Sequence, residues 1–362
     1  MNKVFLIIIC AIIAAASVCG AALPHKDFSE NENRALAQAP KVTFSALLNG
    51  ETSQQFESYI ADRFPLRDAL VSAKAVLERA SGKKENNGVY FAHDKYLIEV
   101  PDKVSEETVK KNCASISKMA SKGYKSTLFL IPTAFEIMQD KLPDYAYTDI
   151  QRQFLKTAAE SLNGAEFAAP YDILNKHKNE YIYYRTDHHQ TTLGSYYSYI
   201  EYCKTMGFSP VSYDEELLSD SFYGTTWSKA MLPDIMPDSI CKNALPLPEI
   251  SVTANGKPIS FYCDEKLKTK DKYAFFMGGN YGAAVIKTNV KNGGSVCIVK
   301  DSYANAMLPF LVNHYKKIVL VDMRYYNSSV SALLEKENVD EIVYIYNCTN
   351  FASDENLIKI SL

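Results

Sequence analysis

The sequence predicts an α/β protein: a doubly wound, mostly parallel sheet with flanking helices, preceded by an N-terminal hydrophobic helix. Three observations predict it. Short apolar runs recur at Ser295–Val299, Ile318–Val321 and Glu341–Tyr346, and runs of that length without alternation suit strands buried on both faces. Stretches with helical spacing separate them, Tyr303–Tyr315 and Ser329–Lys336, and strands alternating with helices imply a parallel sheet. The same unit occurs upstream, where a helix over Glu106–Lys122, ended by Gly123, precedes the apolar strand Ser126–Pro132.

The chain opens with Val4–Leu23, which carries no charge and follows only Lys3 and the terminal amine. An apolar stretch of about 20 residues can cross a ~30 Å hydrocarbon core. Gly20-Ala21-Ala22 would serve as a cleavage site. Residues 1–23 are therefore expected as a signal peptide or a membrane anchor, with the rest exported to the outer face of the cell membrane or secreted. Cys19 would suit a lipoprotein, but Val18 is bulkier than the small residue expected before a lipidated cysteine.

Residues 24–44, including FSENENRALAQAPK, are polar with no strong period and read as a linker. One domain is expected over 45–362, with a less regular insertion near 209–292. Ser45–Ala80 has helical spacing, broken at Asp62-Arg63-Phe64-Pro65 because proline disfavours helix at the residue before it. GVYFAHDKYLIEV reads as a hairpin around His93-Asp94. A strand at Ala165–Pro170 leads into helix at Asp172-Ile173-Leu174, and Thr191–Met206 is a helix stopped by Gly207. Prolines break the first part of 209–292, where YAFFMGG and AAVIKTNV read as strands.

Composition is ordinary for a globular protein, 47% hydrophobic and 22% charged with net charge −3, so no basic excess supports nucleic-acid binding and no strong steering of a polyanion is expected. Twenty-five tyrosines stand beside one tryptophan, which suits either stacking on sugars or amphipathic packing. Eight cysteines form no CxxC pair, so metal-ligand spacing is absent. Cys297 and Cys348 lie in apolar runs and read as buried thiols; disulfides among the others stay open.

In an open parallel sheet, ligands bind outside the carboxyl ends of the strands. After Ser295–Val299 comes Lys300-Asp301-Ser302-Tyr303, where a serine on a sharp turn exposes its hydroxyl and its N–H can face an oxyanion. After the next two strands come Asp322-Met323-Arg324-Tyr325 and Asn347. A serine needs a base, and among six histidines the loop Tyr184-Arg185-Thr186-Asp187-His188-His189-Gln190 is distinctive. In an extended loop a D-x-H pair puts both side chains on one side, so Asp187 could hold the His189 tautomer while the other nitrogen faces Ser302. The same string also fits a metal site, or an N-terminal helix cap by Asp187.

Four stretches, FSENENRALA, YIADRFPLRD, YYRTDHHQ and VKDSYANAMLPFLVNHYKKIVLVDMRYY, make the chain resemble the DHHW family of exported bacterial proteins, similar to the alginate O-acetyltransferase group of SGNH-hydrolase-like domains. The resemblance implies a triad of Ser302, His189 and Asp187. Two positions depart from the pattern: Gln190 stands where the motif has Trp, and Lys300 where the wider group often has Gly. The resemblance implies O-acyl transfer, most simply of acetyl, to hydroxyls of an exported polysaccharide. The Ser302 N–H and Asn347 would bind the oxyanion, and Arg324 and Tyr325 the donor or sugar. No metal or diffusible cofactor is implied, and a membrane-bound protein would supply the acyl group. The same triad would serve an acetyl esterase; a non-catalytic glycan-binding or scaffold subunit of a secretion complex is the reading from another class.

Overall fold

The structure is a computed structural model that describes residues 4–7, 11, 26–40, 42–101, 104–146, 148, 150–339 and 341–361. Of the leader, only residues 4–7 and 11 are described, all helical and exposed, and the rest of that expectation lies outside the described residues. Among the described residues no helix is long and apolar enough to cross a membrane.

The chain divides into two compact units, residues 1–86 with 227–234, and residues 87–226 with 235–362. The single domain expected over 45–362 thus differs from the division observed. In the first unit, β1 (Phe28–Ser29) and β2 (Arg34–Ala35) form a small antiparallel hairpin inside the segment expected to be a linker. Three helices come next: α1 (Phe44–Leu48), α2 (Glu51–Asp62) and α3 (Arg67–Ala80). Charge complementarity orders the hairpin. Arg34 pairs with Glu32 at 3.0 Å and Asp62 at 2.5 Å, and Arg67 reaches Glu32 at 2.7 Å and Asp62 at 3.3 Å. Asp62 also accepts the Ala37 amide at 2.8 Å. Two of the motif stretches, FSENENRALA and YIADRFPLRD, therefore meet in one ion network, a non-local pairing that a search for periodicity along the hairpin does not register.

In the second unit β3 (Val89–Phe91) and β4 (Leu97–Glu99) form the expected hairpin. The chain continues through α4 (Glu106–Ser121), β5 (Lys125–Ile131), α5 (Ile150–Ser161), β6 (Glu166–Ala168), α6 (Tyr171–Lys176) and α7 (Thr192–Met206). Then come β7 (Glu215–Phe222), β8 (Asp238–Asn243), β9 (Ile250–Ala254), β10 (Lys257–Ile259), β11 (Ala283–Thr288) and β12 (Gly294–Lys300). The last elements are β13 (Tyr315–Val321), α8 (Val330–Glu337), β14 (Glu341–Asn347) and α9 (Cys348–Ser353).

Eight strands form one sheet in the order β10-β9-β11-β13-β12-β14-β5-β6. The five from β13 to β6 are parallel, while β11, β9 and β10 extend it antiparallel. The sheet is mostly parallel, as expected, with an antiparallel edge contributed by the stretch that reads as irregular. Side-chain alternation explains why both faces are covered. Phe129, Ile131, Val296, Ile298, Val343 and Ile345 enter one core with Tyr199 and Tyr202 of α7. Leu128, Leu130, Cys297, Val299, Ile342 and Tyr344 enter the other with residues of α4, α5 and α8. Val296, Cys297, Ile298 and Val299 are each fully buried, and each apolar side chain so buried stabilises by roughly 1.5–3 kcal/mol.

Two local readings are corrected. YAFFMGG is no strand: Lys272–Phe275 is a 3₁₀ turn, and Met277, Gly278 and Gly279 have φ of 69°, 75° and 135°, outside the extended region. The helix expected over Tyr303–Tyr315 is a 3₁₀ turn, Ser302–Ala306, followed by one α turn, Leu308–Leu311, and Tyr315 already begins β13.

Candidate active site

Strand β12 delivers Asp301 in an extended conformation, and the chain then tightens into the Ser302–Ala306 turn. Asp301 is fully buried and holds that turn to the neighbouring strand end. Its Oδ1 accepts the Tyr303 amide at 2.9 Å; its Oδ2 accepts the Asn347 amide at 2.9 Å and Asn350 Nδ2 at 2.8 Å. Burial raises its carboxyl above the usual range against the pull of these donors. Ser302 thereby sits at the carboxyl edge of the sheet, where open α/β sheets place their ligands.

The Asp-His-His loop is fastened over the same edge. A bridge between Tyr183 and Gln190 closes its base, and the Tyr183 hydroxyl donates to the Pro132 carbonyl, just after β5, at 2.7 Å. The Arg185 carbonyl accepts the Leu97 amide at 2.8 Å, and the Tyr303 hydroxyl donates to the His188 carbonyl. Buried Asp238 accepts the amides of Arg185 (2.9 Å) and Thr186 (2.7 Å) and the Thr186 hydroxyl (2.5 Å). A loop with this many tethers presents its side chains in one geometry, which a preorganised site requires.

Ser302, His189 and Asp187 come together. His189 Nε2 lies 2.7 Å from Ser302 Oγ, and Nδ1 lies 2.5 Å from Asp187 Oδ1. Asp187 Oδ1 also accepts the His189 amide at 3.0 Å, while Oδ2 accepts the Thr225 amide at 2.8 Å and the Thr225 hydroxyl at 3.0 Å. Burial works to raise the Asp187 carboxyl, but the two imidazoles and these donors outweigh it and hold the group well below the usual carboxylate range. Burial, joined by His188, pushes His189 down to about 4 against the pull of Asp187. At neutral pH the pair is therefore a carboxylate and an uncharged ring whose Nδ1–H points at Asp187, so Nε2 is free to take the Ser302 proton. The His189 ring also stacks on Tyr273, centroids 3.7 Å apart at 10°, and the Tyr273 hydroxyl donates to the Ser302 carbonyl at 2.9 Å.

The other sequence-predicted residues stand differently. The Asn347 side-chain oxygen caps α9 by accepting the Asn350 amide at 2.8 Å. Arg324 is clamped on Asp322, with Nε to Oδ1 at 2.8 Å and NH2 to Oδ2 at 2.6 Å. It lines a cleft of about 290 Å³ with Asp301, Tyr346 and Asn350. Tyr325 is exposed, with the Arg324 guanidinium 5.5 Å from its ring centroid. Gln190 is buried, bonded to Ser198 at 3.0 Å and to Tyr183 at 3.4 Å, so the position where the motif has Trp faces the interior here and offers no surface to a sugar. Lys300 is buried too, its ammonium donating to Asn305 at 2.7 Å and Asn280 at 3.3 Å, and burial pushes it down to about 8.

Of the other roles open to the Asp-His-His string, the cap falls to Thr191, whose hydroxyl accepts the Gly194 amide at the start of α7. Ligand atoms of Asp187, His188 and His189 lie within 4.8 Å of one another, but both His189 nitrogens are engaged, so a cation would have to displace Asp187 or Ser302. Sequence reasoning missed Thr225, Gly224 and Tyr273. Thr225 meets Asp187 from 38 positions away, inside the stretch read as irregular. Gly224 was the available signal: a Cβ there would lie 2.2 Å from Asp187 Cβ, so only glycine admits the carboxylate.

Comparison with known proteins bears on the fold and on kinship. No curated protein matches the sequence. A DHHW family protein from Eubacterium siraeum superposes with a TM-score of 0.66 at 23% identity, over 76% of this chain and 95% of that one. PatB1 of Bacillus cereus gives 0.63 at 18% identity, over 74% and 97%. The O-acetyltransferase domain of Pseudomonas putida AlgJ is a looser likeness, 0.47 at 12%, over 74% and 93%. These likenesses concern the fold. The family model described as DHHW protein matches residues 80–321, more than half the chain, and the chain accordingly belongs to the DHHW family.

Proposed function

We propose that the protein transfers acyl groups, acetyl in the simplest case, to hydroxyls of an exported polysaccharide through an acyl-serine at Ser302. The observation that carries the reading is the continuous chain from Asp187 through His189 to Ser302 Oγ, with contacts of 2.5 and 2.7 Å, built from segments far apart in the sequence. Ser302 Oγ attacks the donor carbonyl as His189 Nε2 takes its proton. The donor's ester bond breaks, and the leaving group departs with that proton. The acceptor hydroxyl then attacks the acyl-serine and gives its proton to His189; the Ser302 ester breaks and Oγ recovers the proton, which leaves the enzyme unchanged.

The Ser302 N–H holds the oxyanion, with Asn347 as second donor: its Oδ1 is occupied at α9, which leaves Nδ2 to give. Arg324 and Tyr325, one strand end away, meet the donor or the acceptor chain. Export through the N-terminal segment puts this chemistry outside the cytoplasm, where acetyl-CoA is not expected, so a membrane-bound acyl-transferring protein supplies the donor. The test is an aryl acetate with an oligosaccharide acceptor. A burst of phenol, acetyl on the Ser302 peptide by mass spectrometry, and acetylated sugar are expected. Turnover unchanged in Ser302→Ala would overturn the reading, and release of free acetate alone, with acceptor present, would replace transfer by hydrolysis.

A further inference from the structure

His188 has no part in the relay just described, yet its ring centroid lies 3.8 Å from that of His189 and its backbone is held by Tyr303. Its proton can be placed. Thr225 Oγ1 has one hydrogen and two neighbours that want a partner: Asp187 Oδ2 at 3.0 Å and His188 Nδ1 at 2.6 Å. Asp187 is ionised and only accepts, so the hydroxyl proton goes to the carboxylate. Thr225 Oγ1 then accepts from His188, whose Nδ1 must carry hydrogen; Asp187 Oδ1, 3.8 Å from the same nitrogen, favours this too.

In the uncharged ring that leaves Nε2 as a bare lone pair. No described residue donates to it. The His188 side chain keeps 26% of its surface open where that of His189 keeps 7%. The site thus holds two imidazoles side by side: one with Nε2 on Ser302, the other partly open and with no described partner on Nε2.

Resting on the acyl-serine reading, we propose that His188 is the residue that recognises the acceptor: its Nε2 accepts a hydrogen bond from a hydroxyl beside the one being acylated, so polyhydroxylated acceptors are favoured over water and simple alcohols. A sugar satisfies both imidazoles at once, with one hydroxyl giving its proton to His189 and a neighbour bonding His188. Water or a monohydroxy alcohol satisfies only the first. A site built to bond a hydroxyl discriminates strongly against a molecule that lacks it.

The experiment reads the partition of the acyl-enzyme. Sugar ester and free acetate come from the same acyl-Ser302, so their ratio does not depend on how fast that intermediate forms. With a vicinal-diol glycoside present, His188→Asn and His188→Phe are both expected to lower the ratio about tenfold, the size of one lost hydrogen bond to a buried or half-buried partner, and to lose the preference for the glycoside over ethanol. The side-chain amide of Asn still donates to Thr225, whereas Phe cannot. A ratio that falls in His188→Phe but holds in His188→Asn would assign the effect to Thr225 and overturn the proposal, as would a ratio unchanged in both. Absence of acyl-Ser302 in the unaltered protein would overturn the functional reading and this inference with it.

Discussion

Replacing Asp187 by Asn removes one negative charge and almost no volume, yet it sets the new side chain against two fixed donors. Each carboxylate oxygen faces a backbone N–H that cannot turn away: Oδ1 faces the His189 amide at 3.0 Å and Oδ2 the Thr225 amide at 2.8 Å. An amide side chain has one accepting oxygen, so its NH₂ must confront one of these donors in either orientation. A buried donor left unsatisfied costs about 1–3 kcal/mol. If NH₂ takes the Oδ1 position, it also donates to His189 Nδ1. The proton then moves to Nε2, which faces Ser302 and can no longer act as base. If it takes the Oδ2 position, the tautomer survives but the charge that stabilises an imidazolium is gone. A triad aspartate replaced this way loses roughly 10⁴-fold in turnover through the wrong tautomer. Burst and steady-state kinetics with an aryl acetate, beside a urea titration, separate the two effects. A folded Asp187→Asn protein within tenfold of the original turnover would refute the claim that this carboxylate sets the proton position on His189.

Three further outcomes are expected. Gly224→Ala should lower turnover at least tenfold and lower the melting temperature with every triad residue intact, since its Cβ would fall 2.3 Å from Asp187 Oδ2; steady-state kinetics and a thermal melt check it, and unaltered kinetics would argue against that packing. Because burial pushes His189 down to about 4 and the base is the uncharged ring, the acid limb of kcat/KM should lie near that value, not near 6.5. The unfolded chain binds more protons between about 6.5 and 4, so stability should decline as pH falls through that window; a pH–rate profile with its limb near 6.5 would contradict this. Cys113, Cys203, Cys241, Cys263, Cys297 and Cys348 are all free thiols, and only Cys263 is not buried. Burial pushes Cys113, Cys241 and Cys297 up to about 12 and Cys203 to about 11, so a thiol reagent should modify Cys263 alone among these six in the native state, as read by mass spectrometry.

Elements whose signal is local could be read before the fold was known. Runs such as Val296–Val299 and Ile342–Tyr346, short and without alternation, suited strands covered on both faces. The helix at Thr192–Met206 announced its end with Gly207, at φ 74°, while its cap proved to be Thr191 rather than Asp187. The three side chains that meet at the sheet edge could be named as well, Asp187 and His189 from one loop and Ser302 from the turn after a buried strand, but the residue pattern alone left a metal site and a helix cap open for that loop, and the family resemblance narrowed the choice. Tertiary structure alone decided what joins distant segments. The hairpin at Phe28–Ala35 exists because Arg34 and Glu32 find Asp62 and Arg67, partners that no periodicity within the hairpin reveals. The antiparallel strands β9 and β10 lie in a stretch whose prolines and glycines mask alternation, and β11, legible as AAVIKTNV, did not disclose its antiparallel pairing. Thr225, Gly224 and Tyr273 reach the site only because folding brings that same stretch over the sheet edge. Asn347 shows how the fold assigns atoms: it closes the last strand, where the Asn350 amide takes its Oδ1 for a helix cap and leaves Nδ2 over. Local patterns state which groups can react, whereas the hydrogen-bond partner each one takes depends on which competing donor the fold brings nearest.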